Sequence, residues 1–147
     1  MSNHLFDLIV SRMPARERAF AHLPDGRVIT YGDVLDLSGR YANALATHWV
    51  KPGDRVAVQV EKSIEALMVY LACVRAGAIF LPLNTAYTPA EVEYFLTDAQ
   101  ATLFICDPAR VNALSPVAAK AHAEIETLGS HGDGTLAEAA GKCSVEF

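Results

Sequence analysis

Basic clusters, paired metal ligands and glycine-rich phosphate loops are all missing from this 147-residue sequence. The 12 Lys and Arg stand against 17 Asp and Glu, a net charge of −5. No basic run and no aromatic-basic interleaving is present to neutralise a phosphate backbone, so nucleic acid is not expected as a partner. The cysteines, Cys73, Cys106 and Cys143, are odd in number. The first two lie in apolar runs, where a thiol behaves as a small hydrophobe, and the usage suits a reducing cytoplasm. His4, His22, His48, His122 and His131 are scattered, with neither H-E-x-x-H nor paired-cysteine spacing, so no metal site is expected.

Phosphate and acyl-transfer motifs are equally scarce. Neither G-x-G-x-x-G nor G-x-x-x-x-G-K-[ST] occurs, and Gly141-Lys142-Cys143 lacks the earlier glycine and the following hydroxyl. No G-x-S-x-G elbow exists, since Ser38-Gly39 falls inside a helical pattern without a preceding glycine. The most hydrophobic stretch, Ile64 to Leu83, contains Glu65 and Arg75 and is broken by Gly77 and Pro82, which argues against a membrane span. Met1 to Asp7 shows neither a basic leader nor an apolar core, so no secretory signal is read there.

What is present is an ordinary globular composition, 52% hydrophobic and 20% charged, enough for one compact unit spanning 1–147. Leu5, Phe6, Leu8, Ile9 and Met13 recur at helical spacing up to Pro14. Ala19–Leu23 and Arg27–Thr30 flank Pro24-Asp25-Gly26, which predicts a β-hairpin. Thr30 stands three residues before Asp33, a capping-box start, and Val34, Leu37, Tyr41, Leu45 and His48 form a stripe down to Trp49. This helix should stop at Pro52-Gly53-Asp54.

A periodic arrangement follows. Arg55–Val60 reads as a strand, and Ser63 caps a helix that Gly77 ends in the left-handed conformation. Ala78–Leu83 reads as a buried strand. Thr88-Pro89-Ala90-Glu91 combines a capping box with proline at the first helical position. Thr102–Cys106 is a further strand, and Asp107-Pro108 opens a helix that Pro116 is expected to kink or divide. Glu124–Leu128 is a fourth strand, and Thr135 with Glu138 is expected to cap a last short helix. Strands starting at Arg55, Ala78, Thr102 and Glu124 are 23, 24 and 22 residues apart with a helix in each gap. That spacing predicts an α/β fold: a β-hairpin and a helix, then βαβ units forming a parallel sheet.

Candidate binding residues are those just past the carboxyl ends of the parallel strands, Glu61-Lys62-Ser63, Asn84-Thr85 and Asp107, because open α/β sheets bind ligands there. Helix capping by Ser63 and Asp107, a solvated Lys62 and a turn at Asn84-Thr85 account for the same residues without a ligand. Gly129–Gly134 reads as a solvated loop, with phosphate contact through its N–H groups as the alternative. A flavodoxin-like nucleotide binder would need a phosphate loop after the first parallel strand, where Glu61 stands instead. No residue is thereby assigned a catalytic, cofactor-binding or metal-binding role.

Two segments carry a family resemblance. Val28-Ile29-Thr30-Tyr31-Gly32-Asp33-Val34 and Cys73-Val74-Arg75-Ala76-Gly77-Ala78-Ile79-Phe80-Leu81-Pro82-Leu83-Asn84 resemble the first two core motifs of adenylate-forming enzymes, the superfamily of acyl-CoA synthetases, luciferases and peptide-synthetase adenylation domains. Glu61–Ala66 and Leu81–Thr88 are similar to the malonyl-CoA synthetase subfamily. The resemblance implies the first N-terminal subdomain of such an enzyme. It also implies, for the full-length family, ATP, Mg and CoA as cofactors and co-substrates, and formation of an acyl-adenylate and then a thioester. The family's phosphate loop, later acidic and arginine motifs and C-terminal lysine match no position here. The expectation is therefore a partial domain that is inactive alone, its partners being the remainder of the enzyme or a second copy. A non-catalytic interaction module is the alternative.

Overall fold

The computed structural model describes residues 3–147. The leader reading rests partly on Met1 and Ser2, which lie outside them. Helix α1 (His4–Ser11) starts where the Asn3 side chain accepts from the N–H groups of Leu5 and Phe6, and it buries Phe6. Strands β1 (Ala19–His22) and β2 (Val28–Thr30) form the antiparallel hairpin, with Gly26 at φ +88° in its turn.

Helix α2 (Tyr31–Thr47) begins with the expected box: Thr30 Oγ1 accepts from Asp33 N–H, and the Asp33 carboxylate accepts from Thr30 N–H. Its end differs from expectation. The helix stops before Pro52, because Trp49 adopts φ +60° and Val50 N–H reaches back to the Leu45 carbonyl at 3.3 Å. The reversal is of the Schellman type, with a largely exposed tryptophan in the place usually held by glycine.

The parallel sheet has the order β4-β3-β5-β6, built from β3 (Arg55–Gln59), β4 (Ile79–Pro82), β5 (Leu103–Cys106) and β6 (Glu124–Thr127). Between them run α3 (Ile64–Ala76), α4 (Pro89–Ala99) and α5 (Val111–Lys120), and α6 (Thr135–Gly141) follows β6. Ser63 Oγ accepts from Ala66 N–H, Gly77 closes α3 at φ +71°, and Thr88 and Glu91 cap α4 reciprocally. The expected periodic α/β arrangement is thus what the chain adopts.

Three details depart from the sequence reading. β4 lies at the sheet edge and is half-exposed, not buried, which explains why Pro82, lacking an N–H to donate, is tolerated at its end. A 3₁₀ turn, Pro108–Arg110, precedes α5, and α5 then runs undivided through Pro116. Thr135 does not cap α6 with Glu138. Its hydroxyl instead accepts from Thr127 N–H and donates to the Glu126 carboxylate, tying α6 to β6.

Alternation along the central strands assigns one core to each face. Val56, Val58, Leu103 and Ile105 face α2, α3 and α6, whereas Ala57, Phe104 and Cys106 face α4 and α5. No helix among the described residues is long and apolar enough to cross a membrane.

Candidate functional site

The chain leaves β3 toward β4 on one side and leaves β5 toward β6 on the other, so the topological switch lies between β3 and β5 at their carboxyl ends. A crevice opens there in most sheets of this kind and is where ligands settle. Here the crevice is filled from within. Gln59, the last residue of β3, is 1% exposed, and its amide donates to the Asn84 carbonyl at 2.8 Å. Arg110, from the turn after β5, donates to Gln59 Oε1 at 2.8 Å and to the carbonyls of Thr85 and Tyr87, each at 3.1 Å. One guanidinium therefore fixes the loop between β4 and α4 across the sheet end.

The residues singled out from the sequence fall around this node with structural tasks. Ser63 caps α3, the Asp107 carboxylate accepts from Ala109 N–H at 2.8 Å, and Asn84 Oδ1 accepts from Ala86 N–H at 2.9 Å. Asn84 and Thr85 are brought together with Gln59 and Arg110 through their carbonyls, not their side chains. Glu61 and Lys62 are exposed. Gln59 and Arg110 escaped the sequence reading. Their signal was a lone amide closing an apolar strand, and an arginine two residues after a capping Asp-Pro.

Cys106 ends β5 opposite Gln59. Burial pushes its thiol up to about 11, outweighing the pull of Arg110, with Asp107 adding to the rise. A neutral thiol is a poor nucleophile near pH 7.

Gly129–Gly134 offers little to phosphate. Gly129 N–H donates to the Asp133 carbonyl and Gly132 N–H to the Gly129 carbonyl. The Asp133 carboxylate crowds Gly129, and a Cβ on Gly132 would sit 2.8 Å from a Glu65 oxygen. With the Gly129 and Gly132 N–H groups already engaged and the Asp133 and Glu65 carboxylates beside those glycines, the loop does not fit a triphosphate. No cluster of three or more His, Cys, Asp or Glu among the described residues could hold a metal ion.

A node of backbone ties at a sheet switch, with one sequence motif opening α2 and the other closing α3, is scaffold chemistry, and comparison with known proteins says whose. The AMP-binding enzyme family model matches residues 7–145. The chain belongs to that family. Over its full length it is 42% identical to MatB from Rhodopseudomonas palustris, whose apo crystal structure superposes with a TM-score of 0.94, this chain covering 29% of that one. An acyl-CoA synthetase from Brucella canis is 26% identical, with a TM-score of 0.79, over 93% of this chain and 27% of that chain. Feruloyl-CoA synthase from an Amycolatopsis species is 33% identical over 109 residues, 74% of this chain and 22% of the relative. The chain thus spans less than a third of these relatives, and it corresponds to the N-terminal region of AMP-forming acyl-CoA synthetases.

In this AMP-binding family member the first motif is the Thr30–Asp33 box. The second motif supplies Gly77, the edge strand and Arg75. Arg75 donates to the Leu35 carbonyl at 3.0 Å, and its guanidinium lies 4.9 Å over the Phe6 ring, so it binds α3 to α2 and α1.

Proposed function

We propose that this chain is the N-terminal framework of an ATP- and Mg-dependent malonate–CoA ligase and is inactive without the remainder of the enzyme. In the complete reaction a carboxylate attacks the α-phosphate of ATP, pyrophosphate leaves, and the thiol of CoA then displaces AMP. Such chemistry rests on cations and oriented N–H donors gathered at the phosphates. The residues here support the fold of that enzyme: Gln59 and Arg110 order the sheet end, and Arg75 joins the helices beneath it.

The observation that carries the reading is 42% identity, without a gap in coverage, to MatB, a malonyl-CoA synthetase. The similarity of Glu61–Ala66 and Leu81–Thr88 to that subfamily agrees with it. The cytoplasm, where free thiols persist, is the compartment we assign.

Pyrophosphate release tests the proposal in two steps. The 147-residue chain should release none above background with malonate, ATP and Mg. The polypeptide extended through the coding sequence after Phe147 should release it with malonate in preference to acetate. Activity of the short chain refutes the framework role, and indifference to malonate refutes the substrate.

The non-catalytic module is a second reading, favoured by caps and strands that are formed through β6, and one surface weighs against it. Leu8, Phe20 and Leu67 stand exposed around a groove of ≈ 510 Å³ floored by Met13, Val34 and Leu71. An apolar surface of this kind invites a partner, either the rest of the enzyme or a second copy. Light scattering separates the readings: a clean monomer supports a module, and self-association supports a surface made to be covered.

A further inference from the structure

Residues 141–146 cross α2 in a seat built within little more than one turn of that helix. Arg40 Nη1 donates to the carbonyls of Gly141 and Cys143, at 3.1 and 2.7 Å. Asn43 Nδ2 donates to the carbonyls of Ser144 and Glu146, at 3.0 and 2.7 Å. Between them Gly39 leaves the helix surface bare, and a Cβ there would overlap the Val145 carbonyl oxygen. Arg75 stands behind the same spot, its Nη1 3.1 Å from that Cβ position.

All five of these contacts involve main-chain atoms of the crossing segment. Side chains of that segment contribute nothing to them, so the seat reads a peptide backbone by its carbonyl spacing and by close approach. Gly39 is otherwise unfavourable, since glycine inside a helix loses to alanine. A mid-helix glycine with a backbone carbonyl pressed against it is explained by the approach, not by α2 itself.

We infer that Gly39, Arg40 and Asn43 form a clasp for a main-chain segment, which holds residues 141–146 by their carbonyls, beside the packing of Cys143 on the core, and sets the direction in which the polypeptide passes beyond α6. The clasp is separable from the fold. Opening it frees the segment and leaves the sheet and α2 intact.

Backbone ¹⁵N relaxation on the 147-residue chain tests this with Gly39→Ala, Asn43→Ala and Val145→Ala. In the parent, residues 143–146 should have order parameters near about 0.85, the value of rigid backbone. In Gly39→Ala and Asn43→Ala they should fall below about 0.6, with the amides of β3 and β5 unchanged. Val145→Ala should behave as the parent. Rigid residues 143–146 in Gly39→Ala overturn the inference, as does a Val145→Ala segment as mobile as that of Asn43→Ala. Should Gly39→Ala fail to fold, Asn43→Ala decides by the same criterion.

Discussion

The two faces of the sheet are closed by different means. The face under α2, α3 and α6 has the larger core and is laced with polar ties: Arg75 to the Leu35 carbonyl, Thr127 to Thr135, and His48 between Glu124 at 2.7 Å and Glu126 at 3.1 Å. The face under α4 and α5 relies on a smaller apolar set centred on Phe104, with Val92, Leu96, Leu114 and Val117 around it. Its main polar tie is Arg110 at the sheet end. The larger face can lose one contact and keep its helices by others, whereas the smaller has few contacts in reserve.

Phe104→Ala should break the comparison open most widely. Phe104 is fully buried, and truncating such a ring costs about 3–5 kcal/mol. Hydrogen exchange should show α4 and α5 losing protection before α2 and α3. Uniform loss across both faces would show that they are not independent.

Arg110→Ala comes next. It leaves Gln59 Oε1 and the Thr85 carbonyl without their Arg110 donor and the Tyr87 carbonyl with only the 3.4 Å bond from Gln59 Nε2, a loss of about 1–3 kcal/mol. Denaturant titration together with proteolysis between residues 84 and 88 checks it, and a cost under about 0.5 kcal/mol would mean that the node is ornamental.

Alkaline pH weighs on both faces, more on the larger one. Burial pushes the Cys73 thiol from its ordinary 9.0 up to about 12, and burial with Glu65 nearby pushes Tyr41 to about 12. For a group raised in the folded state, the stabilisation is complete below the unfolded value and is lost as pH climbs toward the folded one. Stability should therefore fall between pH 9 and 12, with Cys73 contributing roughly 1 kcal/mol by pH 10. Cys73→Ala should flatten that slope in a pH series of melting curves, while Cys106→Ala, whose thiol stands near 11, should flatten it less.

Thr88→Ala is the smallest change, about 1 kcal/mol for a lost N-cap on α4. A shift of the melting midpoint by more than a few degrees would mark α4 as more critical than its cap alone implies.

Legibility in the sequence followed the range of the interaction. Thr30 with Asp33, Thr88 with Glu91, Ser63 and Gly77 act within a single turn, and each sits where the sequence places it. The strand period was equally plain, because every βαβ unit carries its own caps. Whether a strand is central or at an edge depends on the order in space, so β4 read as buried when it is the border. The end of α2 was less plain, because Trp49, a residue that seldom takes positive φ, turns the chain before the stop expected at Pro52-Gly53-Asp54. Thr135 has the sequence of a cap, yet Thr127 and Glu126 across the loop claim its hydroxyl. Gln59 with Arg110 and Gly39 with Val145 join residues 51 and 106 positions apart, beyond any local pattern.

The seat on α2 also bears on the order of assembly during synthesis. Arg40 and Asn43 emerge from the ribosome about a hundred residues before the carbonyls they hold, separations of 101 to 103. Closing so long a loop carries an entropic cost that local contacts do not. The hairpin, α2 and α3 can dock while translation proceeds, but the last stretch of α2's surface waits, open to solvent, until nearly the whole of this chain has been made.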